Sequence, residues 1–388
     1  MIDAARILSL LPDATVLSSA SGRVNLLGEH VDYNGGVVLP IAIDRRVNLA
    51  ARPRTDDEIH LTALDLNENT SFTLKNLADR VDREGKPLPR WALYPAGVAW
   101  VLANKGFQVS GLDAVFSSTV PIGAGLSSSA AVEMTFAVTW QALGGWETDR
   151  MTLARICQQA ENQYVGVNCG LMDQFASAHG VAQHALWFDT LHLEWRPLPL
   201  PPGTAVVVAD SGVRRELATS AYNDRRAACE KAVELLKTRI AGIQSLRDVS
   251  PRQLEANHDV LPAEVYRRAK HVVEEMERVN QAAECLLKDD ASQFGQLMFS
   301  GHQSLKELYE VSCPELDVLV EIAAKLSGCL GARLTGAGFG GCTVNLVQAD
   351  LADEFIAALK QGYLQRVQRE AEVYKCQPSR GAYVEKLN

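Results

Sequence analysis

The sequence predicts two α+β domains with a cleft between them. Three observations carry that reading: a chain of 388 residues, a proline cluster near its middle, and a first half of alternating strands and helices followed by a more helical second half. Globular domains run to about 100–200 residues, so this length is expected to divide in two. The cluster Pro197-Leu198-Pro199-Leu200-Pro201-Pro202-Gly203 suits neither a helix nor a central strand. It sets the expected domains at 1–198 and 199–388; a surface loop within one domain is its other reading.

In the first half, Val37 to Ile43 and Val47 to Ala51 are predicted strands around a turn. Trp91 to Ala103 is a predicted helix and Leu112 to Ser118 a strand. A glycine-rich loop at 121–126 leads into a mostly apolar, buried helix from Ser127 to about Leu143. In the second half, Ala205 to Ala209 is a short apolar strand. Cys229, Ala232, Val233, Leu236 and Ile240 form one helical stripe, and Leu316, Leu319, Val320 and Ala323 form another. Ser312 and Glu315 are spaced as a capping box for that second helix.

Composition removes several function classes. Apolar residues make up 47% and charged residues 22%, as in ordinary globular proteins. A net charge of −9 argues against a nucleic-acid partner, which needs a basic face. No apolar run approaches the roughly 18–20 residues of a membrane span. The N-terminus has no basic segment followed by a long apolar one, so no secretory leader is expected. The eight cysteines show neither CxxC pairs nor zinc spacing, which predicts free thiols in a reducing, cytoplasmic compartment. The oligomeric state is left open, with a monomer one option.

The stretch from Pro121 to Ala131 joins a strand to a helix. Gly123 and Gly125 let the backbone approach a ligand, and Ser127, Ser128 and Ser129 stand at a helix N-terminus with free N–H groups. That is a phosphate cradle without the lysine of the GxxxxGK[ST] loop; serine N-caps on a tight turn are the plainer alternative. Gly336-Ala337-Gly338-Phe339-Gly340-Gly341 has only the start of a dinucleotide fingerprint, or marks a close backbone approach before the strand Cys342–Leu346.

Between Gly22 and Gly36, Arg23, Glu29, His30 and Asp32 are set among apolar residues. Such a density of donors and acceptors suits a polyhydroxylated ligand; a solvated turn with a buried salt bridge is the alternative. Asp173 stands alone in the apolar segment Cys169–Phe175 and needs a partner, for which Arg23 would serve. By themselves, Glu161 reads as an ordinary helix-surface carboxylate and Asn223–Arg226 as a solvated helix start.

These residues form a familiar set. GRVNLLGEHVDYNGG at 22–36 resembles the galactokinase signature, and PIGAGLSSSAAVE at 121–133 resembles the ATP-binding motif of the GHMP kinases (galactokinase, homoserine, mevalonate and phosphomevalonate kinases). LTGAGFGGCTVNL at 334–346 resembles their third motif. CGLMDQFAS and SLKELYEVSCPELD are similar to galactokinase segments. The resemblance runs in order from about residue 20 to about residue 350. It implies a two-domain GHMP-kinase-like α+β fold with the active site in the inter-domain cleft. It also implies ATP and Mg²⁺, and phosphoryl transfer to the anomeric hydroxyl of galactose.

Carried over by position, Asp173 resembles the catalytic aspartate and Arg23 its partner. Glu29, His30, Asp32, Gly170 and Tyr222 match sugar-binding positions. Gly123, Gly125, Leu126, Ser127, Ser128 and Ser129 match the triphosphate cradle, and Trp91 the aromatic residue beside adenine. Ser129 and Glu161 match the Mg²⁺ ligands. Three positions depart from the pattern. Val31 stands where threonine is common, Leu93 where asparagine is common, and Glu307-Leu308 where an acidic pair precedes Tyr309. The rivals are a kinase for N-acetylgalactosamine, galacturonate or arabinose, and a non-catalytic sensor of galactose and ATP.

Overall fold

The computed structural model describes residues 4–214 and 218–387. In chain order its strands are β1 (Val16–Asn25), β2 (Val37–Val38), β3 (Pro40–Pro53), β4 (Glu58–Ala63), β5 (Glu68–Thr73) and β6 (Leu112–Ser118). Then come β7 (His184–Asp189), β8 (Trp195–Pro199), β9 (Thr204–Asp210), β10 (Cys329–Thr335), β11 (Cys342–Gln348), β12 (Glu372–Cys376) and β13 (Tyr383–Lys386). They form a six-stranded sheet ordered β13-β1-β3-β6-β4-β5, a three-stranded sheet β2-β7-β8, and a four-stranded sheet β10-β11-β9-β12. The proline cluster occupies β8 and the short link to β9, where the chain passes to the four-stranded sheet. The last strand, β13, crosses back to pair antiparallel with β1.

The helix Ser128–Gly144 is buried on all sides from Met134 to Trp140, which is why its sequence shows no polar face. It stops at Gly145 in the left-handed region (φ 66°). The following helix, Arg150–Gln159, begins at Asp149, whose carboxylate accepts from Thr152 N at 2.9 Å.

Three local expectations are corrected. The polar triplet Asp44-Arg45-Arg46 is not a turn, because β3 runs unbroken through it for 14 residues. Between the pairs Ser21↔Arg46 and Arg23↔Ala42, β3 advances four residues while β1 advances two, so the polar residues fall in a bulge. Arg46 then spans to the C-terminal segment, donating to Gly381 O at 2.9 Å. Ser312 forms no capping box either. Cys313 is the N-cap residue, Pro314 opens the helix, and Ser312 Oγ donates instead to Asp317. Ile240 lies beyond the end of the helix Ala218–Leu236.

Glycines set how closely the parts approach. A Cβ on Gly336 would stand 2.7 Å from Gly125 O, and one on Gly341 2.7 Å from Ala124 O. The second glycine-rich stretch is therefore a backbone buttress for the first, which agrees with the close-approach reading of its sequence. Gly295, in the helix Ala291–Ser304, lies against the backbone of Leu330 and Gly331 in β10.

A methyl group at Gly295 has no free direction, because its neighbours are backbone atoms. Gly295→Ala is expected to lower stability by at least about 2 kcal/mol, read as a shifted urea midpoint. An unchanged midpoint would mean that this helix can lift from the sheet at no cost.

Candidate active site

The loop at 121–127 turns through three left-handed residues: Gly123 (φ 68°), Gly125 (φ 76°) and Ser127 (φ 59°). A serine there costs about 1 kcal/mol or more. In return, Ser127 Oγ donates to Asp173 Oδ2 at 2.6 Å instead of capping its own helix. The first amides of the helix Ser128–Gly144 thus receive no side-chain cap and keep their positive end open to an anion.

Asp173 sits in the first turn of the helix Met172–His179, where the helix dipole favours a carboxylate. Arg23 holds it with Nε at 2.9 Å and Nη2 at 2.7 Å from Oδ1. The third nitrogen, Nη1, donates to Gly125 O at 2.6 Å. The expected partnership of Arg23 and Asp173 is therefore present, and one guanidinium ties the carboxylate to the glycine loop.

Two cavities meet at this pair. The smaller, about 180 Å³, is lined by Glu29, His30, Asp32, Glu161, Gly170 and Tyr222 together with Arg23 and Asp173. The larger, about 740 Å³, is lined by Trp91, Tyr94, Phe116, Gly123, Gly125 and Ser127 to Ser129, again with Arg23 and Asp173. Ala337, from the second glycine-rich stretch, is in both walls. Leu126 lines neither; its side chain is buried and its carbonyl accepts from Arg23 N at 3.1 Å.

In the smaller cavity most polar groups are already engaged by the protein. Glu29 accepts from Asn25 Nδ2 (2.7 Å) and Gly336 N (2.8 Å). Arg333 Nη2 lies 2.8 Å from the oxygen that Asn25 binds, as an ion pair without hydrogen-bond alignment. Burial pushes the Glu29 carboxyl up to about 7, against the pull of Arg333. Burial pushes His30 down to about 3, so its imidazole is neutral. Asp32 is raised to about 6, first by burial and then by the charge of Asp173. Gly170 is required beside it, because a Cβ there would collide with the Asp32 carboxylate. Tyr222 closes one side, its ring 5.4 Å from His30. Val31, the departure inside the signature segment, is fully buried against Gly36 and lines neither cavity; nor do Leu93 and Leu308.

Glu161 is not the surface carboxylate its sequence context suggests. It is buried, and Gln174 Nε2 donates to it at 2.6 Å and to Glu133 at 3.2 Å. Burial raises Glu161 to about 7, with Asp173 adding to the rise. Glu133 is raised well above the carboxylate range by burial and then by Glu161, and its Oε1 has no partner. Glu133, Gln174, Arg333 and Ala337 were not singled out from the sequence. One signal was available: Glu133 is the only charge in the run from Ile122 to Leu143. In the larger cavity, Trp91 Nε1 donates to Glu68 Oε2 at 2.6 Å, which fixes the indole plane.

Comparisons with known proteins show the family to which the chain belongs. The family "GHMP kinases N terminal domain" matches residues 94–181 and "GHMP kinases C terminal" residues 282–365. "Galactokinase galactose-binding signature" matches residues 11–53. The galactokinase of Roseiflexus sp. is 46% identical over 366 residues, covering 94% of this chain and 92% of that protein. The human galactokinase is 42% identical, covering 89% and 87%. The crystal structure of Lactococcus lactis galactokinase complexed with galactose superposes with a TM-score of 0.92 at 33% identity, covering 99% and 98%. Methanococcus jannaschii mevalonate kinase, at 18% identity and a TM-score of 0.66, shares the fold.

The raised carboxyl of Asp32 has a measurable sign. Between 3.8 and about 6, the unfolded chain has released this proton while the folded chain retains it, so folding loses stability as pH rises through that window. Asp32→Asn removes the loss. Its stability relative to wild type is expected to grow by about 3 kcal/mol across the window, read by urea denaturation. A difference that stays flat with pH would show that Asp32 titrates normally.

Proposed function

This chain belongs to the galactokinase family of GHMP kinases, and from that premise we propose that it transfers the γ-phosphoryl group of ATP to the anomeric hydroxyl of galactose. The observation that carries the reading is the wall shared by the two cavities. A small polar cavity and a nucleotide-sized one open onto the same Arg23–Asp173 pair, so an acceptor hydroxyl and a terminal phosphate would meet there.

Phosphoryl transfer is mainly a matter of position and charge. In this reading Asp173 orients the sugar hydroxyl and takes its proton as the new O–P bond forms and the bond from the γ-phosphorus to the departing ADP breaks. Arg23 keeps the carboxylate in place and offsets charge on the transferred group. Ser127 holds the second Asp173 oxygen, which fixes the plane of the carboxylate. The open amides of residues 128–129 face the triphosphate, and Trp91 packs against the adenine.

Ser129 and Glu161 fit a Mg²⁺ ion by chemistry. Both are oxygen ligands, and a second buried carboxyl, Glu133, whose Oε1 has no partner, lies near Glu161. Among the described residues no three acidic, histidine or cysteine side chains are placed to hold a metal ion by themselves, so the phosphates would have to supply further ligands. When bound, the ion neutralises the β- and γ-phosphate oxygens.

Among related sugars, galacturonate fits least. The only cationic side chain lining the small cavity among the described residues is Arg23, already spent on Asp173, and the other charged groups there are carboxyls. The intact serine loop and the paired Asp173 disfavour a non-catalytic sensor. All eight cysteines are free thiols, and no described helix is long and apolar enough to cross a membrane, both compatible with a cytoplasmic enzyme.

The test is ADP release from Mg-ATP with galactose, N-acetylgalactosamine, galacturonate, arabinose and glucose. Galactose is expected to turn over fastest. Asp173→Asn and Arg23→Ala are each expected to lower kcat by roughly 100-fold or more, with galactose still binding by calorimetry. Turnover on another sugar alone would move the substrate and keep the mechanism. Binding of galactose and ATP without any turnover would replace the enzyme with a sensor.

A further inference from the structure

Behind His30 in the wall of the small cavity runs a hydrogen-bond chain whose direction can be read. His30 Nε2 lies 3.3 Å from Ala337 O, and Nδ1 lies 2.9 Å from Tyr33 Oη. A carbonyl oxygen only accepts, so in the neutral imidazole Nε2 carries the hydrogen and Nδ1 is bare. Tyr33 must then donate to Nδ1. Its oxygen accepts from Tyr309 Oη at 2.7 Å, and Tyr309 in turn accepts from Cys229 Sγ at 3.3 Å. The reverse direction would set the Nε2 lone pair against a carbonyl.

We propose that Tyr33, supported by Tyr309, is a positioning residue that together with Ala337 O holds His30 in the Nε2–H tautomer, so that this wall presents a donor to a sugar hydroxyl oxygen. The proposal rests on the galactokinase reading of the cavity. Its physical motive is the composition of the wall. Glu29, Asp32 and Asp173 offer acceptors, whereas each sugar hydroxyl also has lone pairs that need a donor. The contact from Nε2 to Ala337 O is long enough for a substrate oxygen to compete for the same hydrogen. His30 is held rigidly for this task. Its backbone is left-handed (φ 63°), its carbonyl accepts from Asn34 Nδ2 at 2.9 Å, and its ring packs 4.8 Å from Tyr309.

Nitrogen-15 NMR of the ligand-free protein, with the His30 signal assigned by its loss in His30→Gln, reads the tautomer directly. A bare Nδ1 and a protonated Nε2 are expected; a protonated Nδ1 overturns the proposal. Tyr33→Phe is expected to mix the tautomers and raise the galactose KM roughly three- to tenfold, with kcat and the ATP KM nearly unchanged. Tyr309→Phe leaves the Tyr33 donation possible and is expected to shift both readouts less. A higher KM in Tyr33→Phe with an unmoved tautomer would assign the effect to packing and also overturn the proposal. The spectrum needs no sugar. Absent galactose turnover beside an Nε2–H signal would therefore count against the substrate and not against the relay.

Discussion

The three-way grip of Arg23 is the interaction on which the rest of the site depends. Its side chain binds Asp173 and Gly125 O, and its backbone N–H binds Leu126 O. One residue thereby fixes a strand of the large sheet, the glycine loop and the start of the helix Met172–His179. The bulge beside it is part of the device: extra residues on β3 shift the strand pairing between Ser21 and Arg23, just before Arg23 pairs with Ala42. Without Arg23, a carboxylate only 25% exposed would lose its counter-charge, and the loop would lose its tie to the sheet.

A second buried network sets the other wall. Arg333, on β10 and fully buried, reaches Glu275 at 2.9 Å and Glu29 at 2.8 Å. Glu275 also accepts from Gly28 N and from Arg278. Burial works against the Glu275 charge, yet Arg333 and Arg278 hold its carboxyl below the usual range. Buried ion pairs rarely repay their desolvation as stability. What this one achieves is register. It fastens the signature segment to the four-stranded sheet so that Gly336 N meets Glu29 and Ala337 O meets His30.

Much of this was legible in the sequence, and the limits have physical causes. Local pattern located β6, the buried helix after the glycine loop and the short strand β9, because each is bounded by its own turn chemistry. It failed at Asp44–Arg46, where a bulge let polar residues continue a strand, and at Ser312, whose hydroxyl found a side chain instead of a helix end. The Arg23–Asp173 pair could be anticipated because a charge in an apolar segment demands a partner. Glu161 could not, since its burial comes from packing against Gln174 and Glu133, residues distant in sequence. Tyr33, Tyr309 and Cys229 are likewise separated by up to 276 positions, and only the fold lines them up.

The site is also where the molecule gives up stability. Ser127 and His30 sit in left-handed backbone, each at a cost of about 1 kcal/mol or more. Glu29, Asp32 and Glu161 all keep their protons to a higher pH than in water, so each resists ionising in the folded protein. Two of these costs leave a group short of a partner: the uncapped amides at the start of the helix Ser128–Gly144, and Glu133 Oε1 beside Glu161. In the proposed reading, a phosphoryl donor and a polyol acceptor would supply such partners together. Strain and desolvation accepted in the empty protein thereby become binding energy when both ligands are present, which explains why destabilising features concentrate around the Arg23–Asp173 pair.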